Sequence, residues 1–186
     1  MISQFVSPDD VRLLGDLAFD FPEGTHAIGR LDGHSEGLLI LTTNKRVTNL
    51  LFQGEVPHKR TYLVNVGHEV SEATLHKLRA GIGIVVKGGV EYVTAPCEVE
   101  IVARPENLLK HANEARDGVP NTWLRITLTE GKFHQIRKMV RIAGHRCKRL
   151  IRTSIEDIEL GDLVAGGVKE LEEGEFFRLL KINNWQ

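Results

Sequence analysis

The sequence predicts an α+β fold, a mostly antiparallel mixed sheet with a few flanking helices. Three observations carry this. The stretches 58–66, 97–103 and 122–128 alternate or concentrate apolar residues as strands do. Residues 71–81 and 133–144 instead carry apolar residues at helical spacing. Between 81–86 and 90–93, Lys87-Gly88-Gly89 has the chemistry of a hairpin turn. Many strands interrupted by a few helices, without a regular alternation of the two, favour α+β over a parallel α/β sheet.

Each element has a local reason. Ser7-Pro8-Asp9-Asp10 supplies a cap, an N1 proline and first-turn acids, predicting a helix through Val11, Leu13, Leu14 and Leu17. Phe21-Pro22-Glu23-Gly24 breaks the chain before His26-Ala27-Ile28, and residues 37–41 read as a buried strand. Asn44 caps a short helix through Val47, Leu50 and Leu51, which Gln53-Gly54-Glu55-Val56-Pro57 ends. Ser71 caps the helix that runs to Gly81, and in 97–103 Glu98 and Glu100 alternate with Val99 and Ile101. Residues 104–121, polar and containing Pro105, Gly118 and Pro120, read as a mobile loop.

Gly131 then allows a tight turn into a helix with Phe133, Ile136, Val140 and Ala143 on one face. His134, Arg137, Lys138 and Arg141 fall on the other, and Gly144 is the stop. Residues 147–155 form a strand that carries cations, Gly166-Gly167-Val168-Lys169 a turn, and 176–180 the closing strand.

Composition narrows the function classes. With 186 residues, 41% hydrophobic and 26% charged, the chain reads as a single globular domain over 1–186. It has no apolar run near the roughly 20 residues of a membrane helix and no basic-then-apolar leader, so a cytoplasmic protein without membrane association is expected. Cys97 and Cys147 lack partners at ligand spacing and read as structural thiols, and the eight histidines form no helical pair around an acid. No metal and no cofactor are expected. Without heptads or an evident apolar seam, a monomer is the default.

The net charge of -1 hides an asymmetry. Residues 132–152 hold eight Lys or Arg and no acid, so the other segments carry 16 of the 24 bases against all 25 acids. One positive face on an otherwise acidic body suits a polyanionic partner.

The most informative stretch is Gly29-Arg30-Leu31-Asp32 with Ser35-Glu36-Gly37-Leu38-Leu39: a carboxylate on a glycine-flanked turn ahead of a buried strand. It resembles the central motif of the pseudouridine synthases, in the RsuA branch that modifies ribosomal RNA. Three further motifs follow in the family's order: Lys59-Arg60-Thr61-Tyr62, Glu130-Gly131-Lys132-Phe133-His134-Gln135-Ile136-Arg137 and Leu150-Ile151-Arg152-Thr153. The resemblance implies the family's catalytic fold and an isomerase for a uridine of ribosomal RNA, of the type acting on the large subunit. Asp32 is then the catalytic residue, Tyr62 lies against the target base, Arg137 pairs with the aspartate, and Leu150 packs in the floor of the site.

Arg30, Lys59, Lys132, His134, Gln135, Lys138, Arg141 and Arg152 are the expected RNA-binding residues. Several keep a second reading: Tyr62 as a core aromatic, Arg137 as a phosphate contact, Arg30 as a brace for the aspartate loop. An RNA-binding protein without turnover, or a synthase acting on transfer RNA, would use the same residues. Family members also have a further strand with a Lys-Pro pair ahead of the position of Met1, so a missing first strand is expected.

Overall fold

The computed structural model describes residues 1–52, 56–114, 118–183 and 185. Its elements are β1 (His26–Ile28), β2 (Glu36–Gly37), β3 (Ile40–Thr42), α1 (Val47–Phe52), β4 (Arg60–Gly67), α2 (Glu72–Ala80), β5 (Gly83–Val85), β6 (Glu91–Val93), β7 (Glu98–Val102), β8 (Asn121–Leu128), α3 (Gln135–Ile142), β9 (Cys147–Ile155), β10 (Ile158–Glu159) and α4 (Glu173–Leu179). The expected α+β class is what this order gives. The chain divides into two compact units, Met1–His58 with Arg152–Gln186, and Lys59–Ile151.

In the second unit, β4 pairs antiparallel with β8 over its whole length, and β7 pairs antiparallel with β8 on the other side. β9 lies next to β4 in the strand order. Val64, Val66, Val99, Leu124, Ile126 and Leu128 from the sheet share one core with Leu75 and Leu78 of α2 and Ile136, Met139 and Val140 of α3. Ser71 caps α2 by accepting from Thr74 N at 3.2 Å, and β5 and β6 form the expected antiparallel hairpin. β7 departs from simple alternation. Val99 is buried between exposed Glu98 and Glu100, whereas Ile101 is exposed because β7 ends the strand order and only part of its apolar face is covered.

Residues 104–114 are held rather than loose. Arg104 donates to Leu108 O at 2.6 Å and pairs with Glu114, while Arg149 donates to Leu109 O at 2.7 Å and pairs with the same carboxylate. The rest of the expected mobile loop includes residues 115–117, which lie outside the described residues, as do 53–55 of the expected helix end.

The first unit departs more from expectation. No α-helix forms over 7–17, where there is only a single 3₁₀ turn at Leu14–Asp16. Ser7 Oγ does accept from Asp9 N at 3.1 Å. However, Arg12 O accepts from Ile2 N and Leu14 N donates to Gln4 O, each at 2.9 Å, so these groups pair along the N-terminal segment instead of within a helix. The expected strand 37–41 is split. β3 pairs with β1, whereas β2 pairs with β9, and the chain changes partner at Leu38, whose N–H donates to Arg152 O at 2.8 Å. Gly37 makes this possible, with φ 103° and a position where any Cβ would overlap the Arg152 carbonyl.

The expected closing strand at 176–180 is α4 and its cap. Phe177 and Leu180 are three residues apart and both are buried with Ile28, Val47, Ile155 and Ile182. Phe177 also stacks on Trp185, with ring centroids 4.4 Å apart. A short continuous apolar run fits either structure locally, and here the core chose the helix.

Candidate active site

The first unit holds the Asp32 turn. After β1 the chain is clamped at Leu31 by one hydroxyl: Leu31 N donates to Ser3 Oγ at 3.0 Å, and Ser3 Oγ donates to Leu31 O at 3.2 Å. On the far side, Ser35 N donates to Asp32 O at 2.8 Å and closes a four-residue turn. Asp32 is therefore held at its backbone from both directions while its side chain stays half-buried. Arg30 is exposed and donates to Gln4 Oε1 at 2.9 Å. Ser3 and Gln4 were not expected as functional residues. Nothing in Met1-Ile2-Ser3-Gln4-Phe5 signals a contact to a loop 28 residues further on.

Arg152 was expected among the RNA-binding residues but is only 4% exposed, and its Nε donates to Leu38 O at 2.7 Å. It holds the partner switch behind the aspartate turn. Arg149 is also turned inward, 5% exposed, to Glu114. Of the eight cations in 132–152, these two do not contribute to an exposed positive face.

The second unit holds the tyrosine and the basic helix. Tyr62 lies opposite Ile126 in the register of β4 and β8 and packs, half-buried, on the margin of the core that contains Ile136 and Leu150. Leu150 is a buried core residue. Lys59 is exposed and pairs with Glu98 at 2.8 Å; an exposed ion pair of this kind contributes at most about 1 kcal/mol.

The turn into α3 is built around Glu130. Its carboxylate accepts from Tyr92 Oη, from Ala95 N at 3.0 Å and from Gln135 Nε2 at 2.6 Å, while Gln135 Oε1 accepts from Lys132 N at 2.8 Å. Gln135, expected to bind RNA, is thus a buried peg of the turn: its amide is committed to the backbone and to Glu130. Lys132 reaches over the Tyr92 ring, 4.5 Å from its centroid. The hydrogen bond to Glu130 raises the Tyr92 phenol above its usual range. Burial lowers the Arg60 guanidinium, which Tyr62 and Glu130 partly counter. A Cβ on Gly131 would come within 2.9 Å of Arg60 Nη1, so a larger residue here would have to displace the end of that side chain.

His134 precedes α3 in a left-handed conformation, φ 54°. Arg137 is half-buried and donates to Cys147 Sγ at 3.6 Å; burial raises that thiol, and the nearby guanidinium opposes the rise. Lys138 is half-buried and Arg141 exposed. Phe133, expected on the apolar face, is 62% exposed, because the helix begins only at Gln135 and leaves Phe133 in the turn. Cys97 and Cys147 are both free thiols, and burial pushes Cys97 up to about 11. Among the described residues no group of three or more His, Cys, Asp or Glu is placed to hold a metal ion, and no helix is long and apolar enough to cross a membrane.

This order of strands and helices is that of a known enzyme fold. A crystal structure of a pseudouridylate synthase superposes with a TM-score of 0.74, at 24% identity, over 96% of this chain and 68% of that one. Residues 15–141 match the family model described as RNA pseudouridylate synthase, and the chain belongs to that family of isomerases. It is 36% identical over 173 residues to ribosomal large subunit pseudouridine synthase E of Vibrio parahaemolyticus, covering 92% of this chain and 69% of the relative. It is also 30% identical over 155 residues to the dual-specificity RNA pseudouridine synthase RluF of Escherichia coli, covering 83% of this chain and 46% of that protein.

Proposed function

We propose that this enzyme converts a specific uridine of large-subunit ribosomal RNA to pseudouridine, with residues 1–186 acting as one catalytic domain. The observation that carries the reading is the Asp32 turn, whose backbone is fixed on both sides by Ser3 and Ser35 while the carboxylate remains half-exposed. The name of the Vibrio parahaemolyticus relative supports ribosomal RNA as substrate.

The reaction breaks the bond from uracil N1 to the sugar, turns the base, and joins C5 to the anomeric carbon. The C5 proton leaves and N1 gains one, so the composition is unchanged. Asp32 is the reacting carboxylate, acting as nucleophile or base on a uridine flipped out of its stack. Arg137 is the basic partner of the reacting carboxylate, and Tyr62 is the ring against which the uracil lies. Lys132, Lys138 and Arg141 hold flanking phosphates. On this reading the protein works as a monomer in the cytoplasm, with RNA as its partner.

The test is incubation with a large-subunit ribosomal RNA transcript lacking modifications, followed by chemical detection of pseudouridine. Wild type yields product, and Asp32→Asn yields none while binding the transcript within a few fold of wild type. Full turnover by Asp32→Asn would remove Asp32 from the mechanism. Binding without product from wild type would favour a silent RNA-binding protein, and product only on transfer RNA would move the substrate.

A further inference from the structure

The one large aromatic side chain of the motif turn that stays in water is Phe133, 62% exposed. Its ring is not disordered filler. It stacks on the His134 imidazole with centroids 3.8 Å apart and planes 18° from parallel, and Lys138 Nζ lies over it, 5.2 Å from its centroid. His134 adopts φ 54° there, a conformation that a non-glycine residue reaches only at some cost. The turn beneath is rigid, because Glu130 and Gln135 fix it through Ala95, Tyr92 and the Lys132 backbone. Exposing a phenyl ring is unfavourable, and Phe133 lies outside the apolar core of its unit.

We propose that Phe133, backed by His134, is a stacking subsite for an unpaired nucleobase of the RNA, outside the position of the target uridine. This rests on the reading of the protein as an RNA enzyme. A planar π-face presented on a rigid turn, with the Lys138 ammonium beside it, matches what a single-stranded nucleotide offers: a base for the ring and a phosphate for the cation. Lys138 covers the ring when RNA is absent and swings to the phosphate when a base takes its place. Such a subsite tolerates any base and selects RNA that offers an unpaired nucleotide.

The experiment measures binding of a twelve-nucleotide oligouridylate and of the unmodified ribosomal transcript to wild type, Phe133→Leu, Phe133→Trp and Lys138→Gln. Phe133→Leu weakens oligouridylate binding by roughly 5- to 150-fold, the range for loss of one base stack, and leaves the salt slope unchanged. Phe133→Trp restores affinity, and its fluorescence is quenched on binding relative to wild type, which carries Trp123 and Trp185. Lys138→Gln reduces the salt slope instead. Unfolding midpoints confirm that the exposed position leaves the fold intact.

If Phe133→Leu binds within two-fold of wild type and the tryptophan is not quenched, the subsite is overturned, whatever the wild type does to the transcript. If wild type makes no pseudouridine in any RNA yet Phe133→Leu still loses oligouridylate binding, the enzyme reading fails and the stacking subsite stands.

Discussion

The two units reach order by different routes. The second is built from long elements: β4 and β8 pair residue for residue from Arg60↔Leu128 to Gly67↔Asn121, and a single core lies under α2 and α3. The first has strands of two or three residues and is held by contacts distant in sequence, such as Ser3 to Leu31 and Arg152 to Leu38. A rigid sheet suits presentation of a helix and a ring. The aspartate turn, with so little regular structure around it, depends on individual hydrogen bonds. Point changes should therefore matter more in the first unit than their size suggests.

The largest effect is expected at the centre of the first unit. Phe177→Ala removes the ring packed among Ile28, Ile155 and Trp185 and should cost about 3–5 kcal/mol in denaturant unfolding. Hydrogen exchange should then show β1 and β3 losing protection before β4 and β8. Equal loss in all four strands would mean that the two units unfold together.

Gly37→Ala tests the partner switch. The positive φ alone costs a non-glycine residue about 1–3 kcal/mol, and overlap with the Arg152 carbonyl adds to it, so a lowered midpoint is expected in thermal unfolding. An unchanged midpoint would mean that the Leu38–Arg152 pairing is dispensable.

Ser3→Ala sharpens the claim that single hydrogen bonds hold the aspartate. Two backbone groups of Leu31 lose their shared partner, which should cost about 1–3 kcal/mol. Steady-state kinetics on ribosomal transcript should show kcat falling more than KM rises, and rescue by Ser3→Thr would support the hydroxyl as the cause.

The smallest effect is a pH dependence in the second unit. Burial would raise the Glu114 carboxyl, but hydrogen bonds from Arg149 and Arg104 outweigh it and hold the group below the usual carboxylate range. A depressed folded-state value means that its stabilisation is present above the ordinary carboxylate pKa and is lost as pH falls through the folded value. Glu114→Gln should flatten the acid limb of a stability-against-pH curve. A limb of unchanged steepness would assign acid sensitivity elsewhere.

How legible each region was follows the same division. The Ser71 cap, the Lys87-Gly88-Gly89 hairpin and strands β4 and β8 are specified by neighbours within a few residues, and they fold as the local signals say. The helix signal at 7–17 was overruled by pairing to residues 2–4, and the run at 176–180 became α4 because its apolar side chains match a core assembled from both ends of the chain. Phe133, Gln135, Arg149 and Arg152 show the same limit for side chains. Residue type announced an apolar face or a cation, but burial and exposure depended on where α3 starts and on what β9 packs against.

By itself, the sequence determined the α+β class, the four ordered motifs, the carboxylate on its turn and the concentration of cations in 132–152. These are properties of local pattern and composition, which a linear chain carries without folding. Only the tertiary structure decided that Ser3 clamps the aspartate turn, that Arg149 and Arg152 turn inward, and that Phe133 stands in solvent against His134. The reason is physical: burial, and hydrogen bonds between residues 28 or 114 positions apart, depend on which segments folding brings together, and no local window of sequence contains that information.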